Sequence, residues 1–280
     1  MFTVALTVNR TTAGVVGDMS GADQRRVVVV GAGSGIGAAT AAHFHSRGDH
    51  VLAVDLKPNA TPASEHRQVD LRDPAAIAEL LDDIGSGWDL LAHVAGVPGT
   101  APADDVLLVN YLGMRLMTTG MLPLLNTGGA AVVVASVAAL GWEQRAADLV
   151  GLLDATEPAA VVAWQATQDP GYPVYSTSKQ AAILFAKRIA GPALSKYGVR
   201  VNIVSPGPTE TPILTDFEAS MGKDVLDTVK ATVGRHAGVD DIVPVIDFVG
   251  SPAAGWVVGQ DIHVDGGFVS SMMAGPPIVL

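Results

Sequence analysis

The chain has 280 residues, of which 49% are hydrophobic and 16% charged, enough apolar content to fill a large core and too little charge for a disordered chain. Seventeen Lys and Arg against twenty-eight Asp and Glu leave a formal charge of −11, which argues against nucleic acid or an anionic membrane surface as the partner. There is no cysteine, so disulfides, thiolate catalysis and the usual structural zinc sites are excluded together, and a reducing cytoplasm is the expected compartment.

Residues 1–24 begin with a short apolar stretch interrupted by Arg10 and Asp18. They lack the basic-then-apolar order of a secretion signal and are expected to form a leader or flexible extension. No apolar run is long enough for a transmembrane helix. Val27 to Val30 is a β-branched run ended by Gly31 and predicts a strand buried on both faces. A helix from Ile36 to Arg47 stops at Gly48, and strands follow over Val51 to Asp55 and around His66 to Val69. Asp73-Pro74 opens the next helix with an N-cap side chain and a proline at the first helical position. The alternation continues with strand Asp89 to Ala95, helix Ala103 to Leu125, strand Ala130 to Ala135 and helix Val174 to Tyr197. Strand Val199 to Val204, helix Asp240 to Val249 and strand Asp261 to Val264 complete it. This βαβ series predicts a Rossmann-type, doubly wound parallel sheet of about seven strands with helices on both faces, in one domain over residues 25–280. Two stretches break the rhythm, residues 141–172 and 206–238, and such excursions beyond strand ends usually build a substrate site.

The cluster Gly31, Gly33, Ser34, Gly35, Ile36 and Gly37 lies between the first strand and its helix. Glycine permits a tight turn and close approach of a pyrophosphate, and the helix N-terminus offers free N–H groups and a positive dipole end. Asp55, ending the second strand, is placed to accept hydrogen bonds from an adenosine ribose and would repel a 2′-phosphate, so NAD(H) is the expected cofactor. Tyr175 and Lys179 share a helix face four residues apart. A neighbouring ammonium favours the phenolate and turns a weakly acidic phenol into a usable general acid or base. The seven histidines form no metal-ligand motif, so no catalytic metal is expected, and His93 reads as a satisfied core histidine.

Together these motifs resemble the short-chain dehydrogenase/reductase family from about Val27 to Phe268. The family's G-x-x-x-G-x-G is matched by Gly31, Gly35 and Gly37, with Val30 in place of the usual threonine. Its Asn-Asn-Ala-Gly segment is His93-Val94-Ala95-Gly96, so Ala95 and Gly96 carry over and the two asparagines do not. The resemblance implies that Asp70 and Leu71 hold the adenine ring, that Pro206, Gly207, Thr209 and Thr211 lie against the nicotinamide, and that Asn110, Ser136, Tyr175 and Lys179 are catalytic. Ser136 would hold the substrate oxygen, Tyr175 would exchange its proton, Lys179 would lower the Tyr175 pKa and bind the nicotinamide ribose, and Asn110 would position a water linking Lys179 to solvent. The long interval from Ser136 to Tyr175, Ala-Ser-Val-Ala around Ser136, and the run from Pro206 to Leu214 are similar to the bacterial 3α-hydroxysteroid dehydrogenase/carbonyl reductase group. That likeness implies a secondary alcohol and ketone pair on a bulky skeleton, a helical insertion between Ser136 and Tyr175, and a homo-oligomer, dimer or tetramer. Two alternatives stay open: an NADPH-dependent biosynthetic ketoreductase, for which Lys57 leaves room, and a non-catalytic dinucleotide sensor of the same fold. Ile213, Leu214, Phe217 and Met221 are expected to cover the substrate. Trp142, Leu149, Leu152, Leu153 and Trp164 are expected to form its other wall, and the apolar tail from Val269 to Leu280 to pack on a neighbouring subunit.

Overall fold

Buried parallel strands need side chains that are apolar on both faces, and the runs of valine, leucine and alanine supply them. In the computed structural model, which describes residues 24–58 and 60–274, seven strands form one sheet: β1 (Arg26–Val30), β2 (His50–Asp55), β3 (Glu65–Gln68), β4 (Trp88–His93), β5 (Leu125–Val134), β6 (Arg200–Pro206) and β7 (Asp261–Val264). Their order is β3-β2-β1-β4-β5-β6-β7, and every pairing is parallel. The expected doubly wound α/β architecture is present. Residues 1–23 of the expected extension, residues 275–280 of the tail and the Met221 side chain lie outside the described residues.

The helices are α1 (Gly35–Ser46), α2 (Pro74–Ile84), α3 (Ala103–Leu107), α4 (Met114–Met121), α5 (Val150–Asp154), α6 (Pro158–Gln165), α7 (Val174–Tyr197), α8 (Leu214–Met221), α9 (Lys223–Val233), α10 (Val239–Gly250) and α11 (Phe268–Met273). On one face Val27, Val29, Leu90 and Val132 pack against Phe44 of α1 and Ile242 and Ile246 of α10. On the other, Val28, Val30, Leu91 and Val133 join a larger core with residues of α2, α4 and α7. Each of these valines is buried, a stabilisation of roughly 1.5–3 kcal/mol relative to exposure.

The expected helix from Ala103 to Leu125 is not continuous. α3 passes into one π-helical turn, Leu108–Gly113, before α4 resumes and ends at Met121. Gly113 lets this segment press against the loop after β3, since a Cβ there would stand 2.5 Å from the Leu71 carbonyl oxygen. β5 begins at Leu125, earlier than expected, because Trp88 pairs with Leu125 before a register shift brings Leu90 opposite Ala130, the signature of a bulge. Residues 141–172 fold into α5 and α6 as a helical insertion. Leu149 and Leu152 are fully buried and Leu153 nearly so, all within the larger core, so these three stabilise the insertion and are not a substrate wall. Residues 206–238 form α8 and α9, and a bridge from Thr209 to Ala237 closes their base. In the tail, Val269 is buried while Met272 and Met273 are exposed.

Candidate active site

The C-terminal ends of the strands open onto a cleft of about 520 Å³, beside β1 and β4, where the strand order reverses and doubly wound folds bind their ligands. Every residue singled out as catalytic or cofactor-binding lines it except Gly33 and Asn110; of the expected substrate cover, Ile213 and Phe217 line it and Leu214 does not.

At one end the glycine turn and Asp55 form a cradle. A Cβ at Gly37 would overlap the Gly31 carbonyl oxygen, and one at Gly31, whose φ is +88°, would stand 2.5 Å from the Ala95 backbone. The first turn of α1 carries N–H groups that no side chain caps, and the preceding Ser34 with Gly35, Ile36 and Gly37 lines the cleft, an arrangement suited to a pyrophosphate. Asp55 Oδ2 accepts from the Gly33 N–H at 2.7 Å and Oδ1 from the Lys57 N–H at 3.1 Å. The carboxylate is thereby aimed, with lone pairs left for two ribose hydroxyls. These residues fit a dinucleotide. Asp70 is engaged by Arg72: its carboxylate accepts from the Arg72 guanidinium at 2.7–3.2 Å and from the Arg72 backbone N–H at 2.9 Å. That bond holds Asp70 below the usual carboxylate range. Arg72 also reaches both Asp105 oxygens at 3.2 Å and lines the cleft. Sequence reasoning missed this clamp, although an arginine two residues after Asp70 was its signal.

Further along, Ser136 ends the run from β5 and caps the short 3₁₀ turn Val137–Ala139, its Oγ accepting from the Ala138 N–H at 3.1 Å. Its own O–H is left to donate, and a hydrogen bond with Tyr175 draws the phenol down. Burial is the larger influence and pushes Tyr175 up to about 12. Lys179 is buried one helical turn on, its Nζ donating to the Val134 carbonyl at 3.0 Å and standing 5.9 Å from the Tyr175 ring centre. Burial lowers Lys179 to about 8. The expected lowering of the Tyr175 pKa by Lys179 is not seen: burial, upward, and Ser136, downward, are the influences on the phenol. Asn110 sits in the π-helical turn. Its Oδ1 accepts from the Val97 N–H at 2.7 Å, and its Nδ2 donates to the Val97 carbonyl at 3.0 Å and to Ser178 Oγ at 3.2 Å. It thus pins the segment after β4. Asn110 Oδ1 and Lys179 Nζ flank Gly96, at 3.3 and 3.2 Å from where a Cβ would stand. The Thr209 and Thr211 hydroxyls donate to the Gly207 and Thr209 carbonyls, at 2.8 and 3.2 Å, and so shape the turn after Pro206.

At the far end Phe217 of α8 meets Tyr175 edge-on, with ring centres 4.9 Å apart. Pro212 and Ile213 also line the cleft. Asp216 accepts from the Thr100 hydroxyl at 3.2 Å and ties α8 to the loop before α3. Trp142 lines a second cavity of about 330 Å³ that shares Ser136 with the main cleft, whereas Trp164 packs on the core. His93 is buried as expected, but its Nε2 has no hydrogen-bond partner.

This fold and site define an oxidoreductase of the short-chain dehydrogenase family, to which the chain belongs. The "short chain dehydrogenase" family model matches residues 25–147 and the "enoyl-(acyl carrier protein) reductase" model residues 159–269. The chain is 33% identical over 252 residues to the coniferyl-alcohol dehydrogenase of Pseudomonas sp. (strain HR199 / DSM 7063), covering 88% of this chain and 97% of that one. It is 32% identical over 253 residues to the 3-alpha-hydroxysteroid dehydrogenase/carbonyl reductase of Comamonas testosteroni, with the same coverage. Among solved structures, the 3-alpha-hydroxysteroid dehydrogenase from Pseudomonas sp. B-0831, complexed with NADH, superposes with a TM-score of 0.76 at 29% identity, covering 90% of this chain and all of that one.

Proposed function

We propose that this chain is an NAD(H)-dependent dehydrogenase that interconverts a secondary alcohol and a ketone on a bulky hydrophobic skeleton, such as a hydroxysteroid or an alicyclic or aryl alcohol. The observation that carries the reading is one cleft with two chemistries. Ser136, Tyr175 and Lys179 line one end together, and at the other the Asp55 carboxylate is fixed by backbone N–H groups beside a glycine turn.

Nicotinamide dinucleotide supplies the hydride chemistry when bound; the protein contributes placement and proton transfer. Ser136 donates to the substrate oxygen and stabilises charge developing there. Tyr175, kept protonated by burial, gives that oxygen a proton in reduction and takes it back in oxidation. Lys179, whose ammonium keeps N–H donors beyond the one given to the Val134 carbonyl, is placed to hold the nicotinamide ribose beside Tyr175. Phe217, Pro212 and Ile213 give the substrate end an apolar wall, which suits a carbocyclic or aromatic body. Asp55 favours a free ribose 2′-hydroxyl over a 2′-phosphate, because like charges repel at close range.

Fluorescence titration with both reduced cofactors tests the cofactor assignment: NADH should bind at least ~10-fold tighter, a difference of about 1.4 kcal/mol, and equal or reversed affinities would overturn it. A panel of steroid, alicyclic and aryl alcohols, coniferyl alcohol among them, assayed for NADH formation tests the substrate class. Preference for small charged hydroxy acids counts against it, and NADH binding without turnover of any alcohol favours the sensor. The same reading extends to a homo-oligomer, for which exposed Phe248, Trp256, Met272 and Met273 offer apolar surface; a monomeric mass in solution would overturn that part.

A further inference from the structure

His93 ends β4 with 1% of its surface exposed, and its Nε2 is buried without a hydrogen-bond partner. A buried acceptor left unmade costs about 1–3 kcal/mol, so the atom calls for a donor nearby. Alternation along β4 places the His93 side chain on the same face as Leu91, the face covered by the larger core and by α7, which carries Lys179. The strand register brings the two to adjacent residues of β5: His93 pairs with Val133, and the next carbonyl, that of Val134, accepts from Lys179 Nζ. An ammonium has three N–H donors, and the Val134 carbonyl takes one.

We infer that His93 is a positioning residue for Lys179: the Nε2 lone pair of its neutral imidazole accepts, through one bridging water, a hydrogen bond from the ammonium and helps to keep that cation charged. A single water makes such a bridge nearly as well as a direct contact. Burial foremost, and then the Lys179 charge, lowers His93 to about 3, so the ring is neutral and retains a lone pair throughout the working range. Among the described residues Lys179 is the one charged group acting on His93. Tyr175 reaches the same region from α7, and Asn110, a neutral amide engaged with Val97 and Ser178, approaches from the π-helical turn. On the flanking strands His93 pairs with Val133 of β5 and Val30 of β1, neither of them ionisable.

This inference rests on the reading that Tyr175 transfers the proton with the Lys179 ammonium standing beside it. The experiment compares the pH dependence of kcat for alcohol oxidation in the wild type, His93→Phe and His93→Asn, and follows the His93 side-chain ¹⁵N resonances in the wild type and Lys179→Met. Removing the acceptor should move the alkaline limb down by about one pH unit, a tenfold loss at that limb, while the amide oxygen of His93→Asn restores it. The Nε2 resonance should be that of an unprotonated nitrogen, and it should shift on Lys179→Met. An unchanged limb in His93→Phe, an Asn variant as impaired as the Phe variant, or an Nε2 resonance indifferent to Lys179→Met would each overturn the assignment. If His93→Phe does not fold, the resonance comparison decides. Failure of the underlying reading shows separately, as turnover retained in Tyr175→Phe.

Discussion

The two ends of the cleft are held by different forces. At the dinucleotide end, Asp55 is bonded to two backbone N–H groups, Asp70 is clamped by Arg72, and the glycine turn leaves no room for a methyl group. At the substrate end, Phe217 lies against Tyr175, and α8 and α9 are closed at their base by a single bridge. The first end is specified by directional bonds and close backbone contact, which depend steeply on geometry. The second is specified by apolar contact, which is non-directional and accommodates skeletons of different outline.

The comparison breaks most visibly at the residues between the two ends. Tyr175→Phe should lower kcat by roughly 10²- to 10⁴-fold with the NADH dissociation constant unchanged in a fluorescence titration; unchanged kcat removes Tyr175 from the chemistry. Lys179 tests whether burial is as costly as its lowered pKa implies. Between pH 8 and 10.5 the unfolded chain holds a proton on this lysine that the folded apoprotein does not, so its contribution to stability rises with pH in that window. Denaturant midpoints for the wild type should accordingly gain on those of Lys179→Met, on the order of 2–3 kcal/mol across the window. Above pH 10 the sign reverses for Tyr175, whose raised pKa keeps the folded state protonated while the unfolded phenol ionises.

Gly37→Ala sharpens the dinucleotide end. The new methyl group meets the Gly31 carbonyl, and the overpacking should cost about 1–3 kcal/mol, read as a lower melting temperature and weaker NADH binding. Gly191→Ala, in α7 with nothing within 4 Å of the new atom, should leave both intact or stabilise the fold by roughly 1 kcal/mol. The smallest effect belongs to the other end: Phe217→Ala should raise KM for bulky alcohols about tenfold, some 1–1.5 kcal/mol of lost aromatic contact, with NADH affinity unchanged. Equal losses for NADH and for alcohol would mean that the two ends are not independent.

The parallel sheet was legible because a strand buried on both faces must be an apolar, β-branched run, and Val27 to Val30 is one. α7 and β7 match their expected bounds, since Tyr197-Gly198 and Val264-Asp265 carry clear stop signals. The break between α3 and α4 was not legible. Leu-Val-Asn-Tyr-Leu-Gly contains no breaker other than Gly113, whose role depends on the distant Leu71 carbonyl. Leu149, Leu152 and Leu153 were read as a pocket wall because periodicity reports an apolar face without saying what covers it. The Arg72–Asp70 half of the clamp was within reach of spacing, whereas its hold on Asp105, 33 residues on, and the burial of the His93 Nε2 come from tertiary packing, which spacing alone does not report.

The π-helical turn over Leu108–Gly113 has a consequence for how this site varies. A π turn holds one residue more than an α turn, so everything after it is rotated by about 100° relative to an uninterrupted helix. That offset delivers Met114, Met117 and Met121 to the core while Asn110 faces the segment after β4. Asn110 is therefore held in place by chain length as well as by identity. Deleting one residue here would let the helix anneal and carry the asparagine off its target without any substitution, so insertions and deletions, which most surface loops absorb, become site-altering changes in this buried segment.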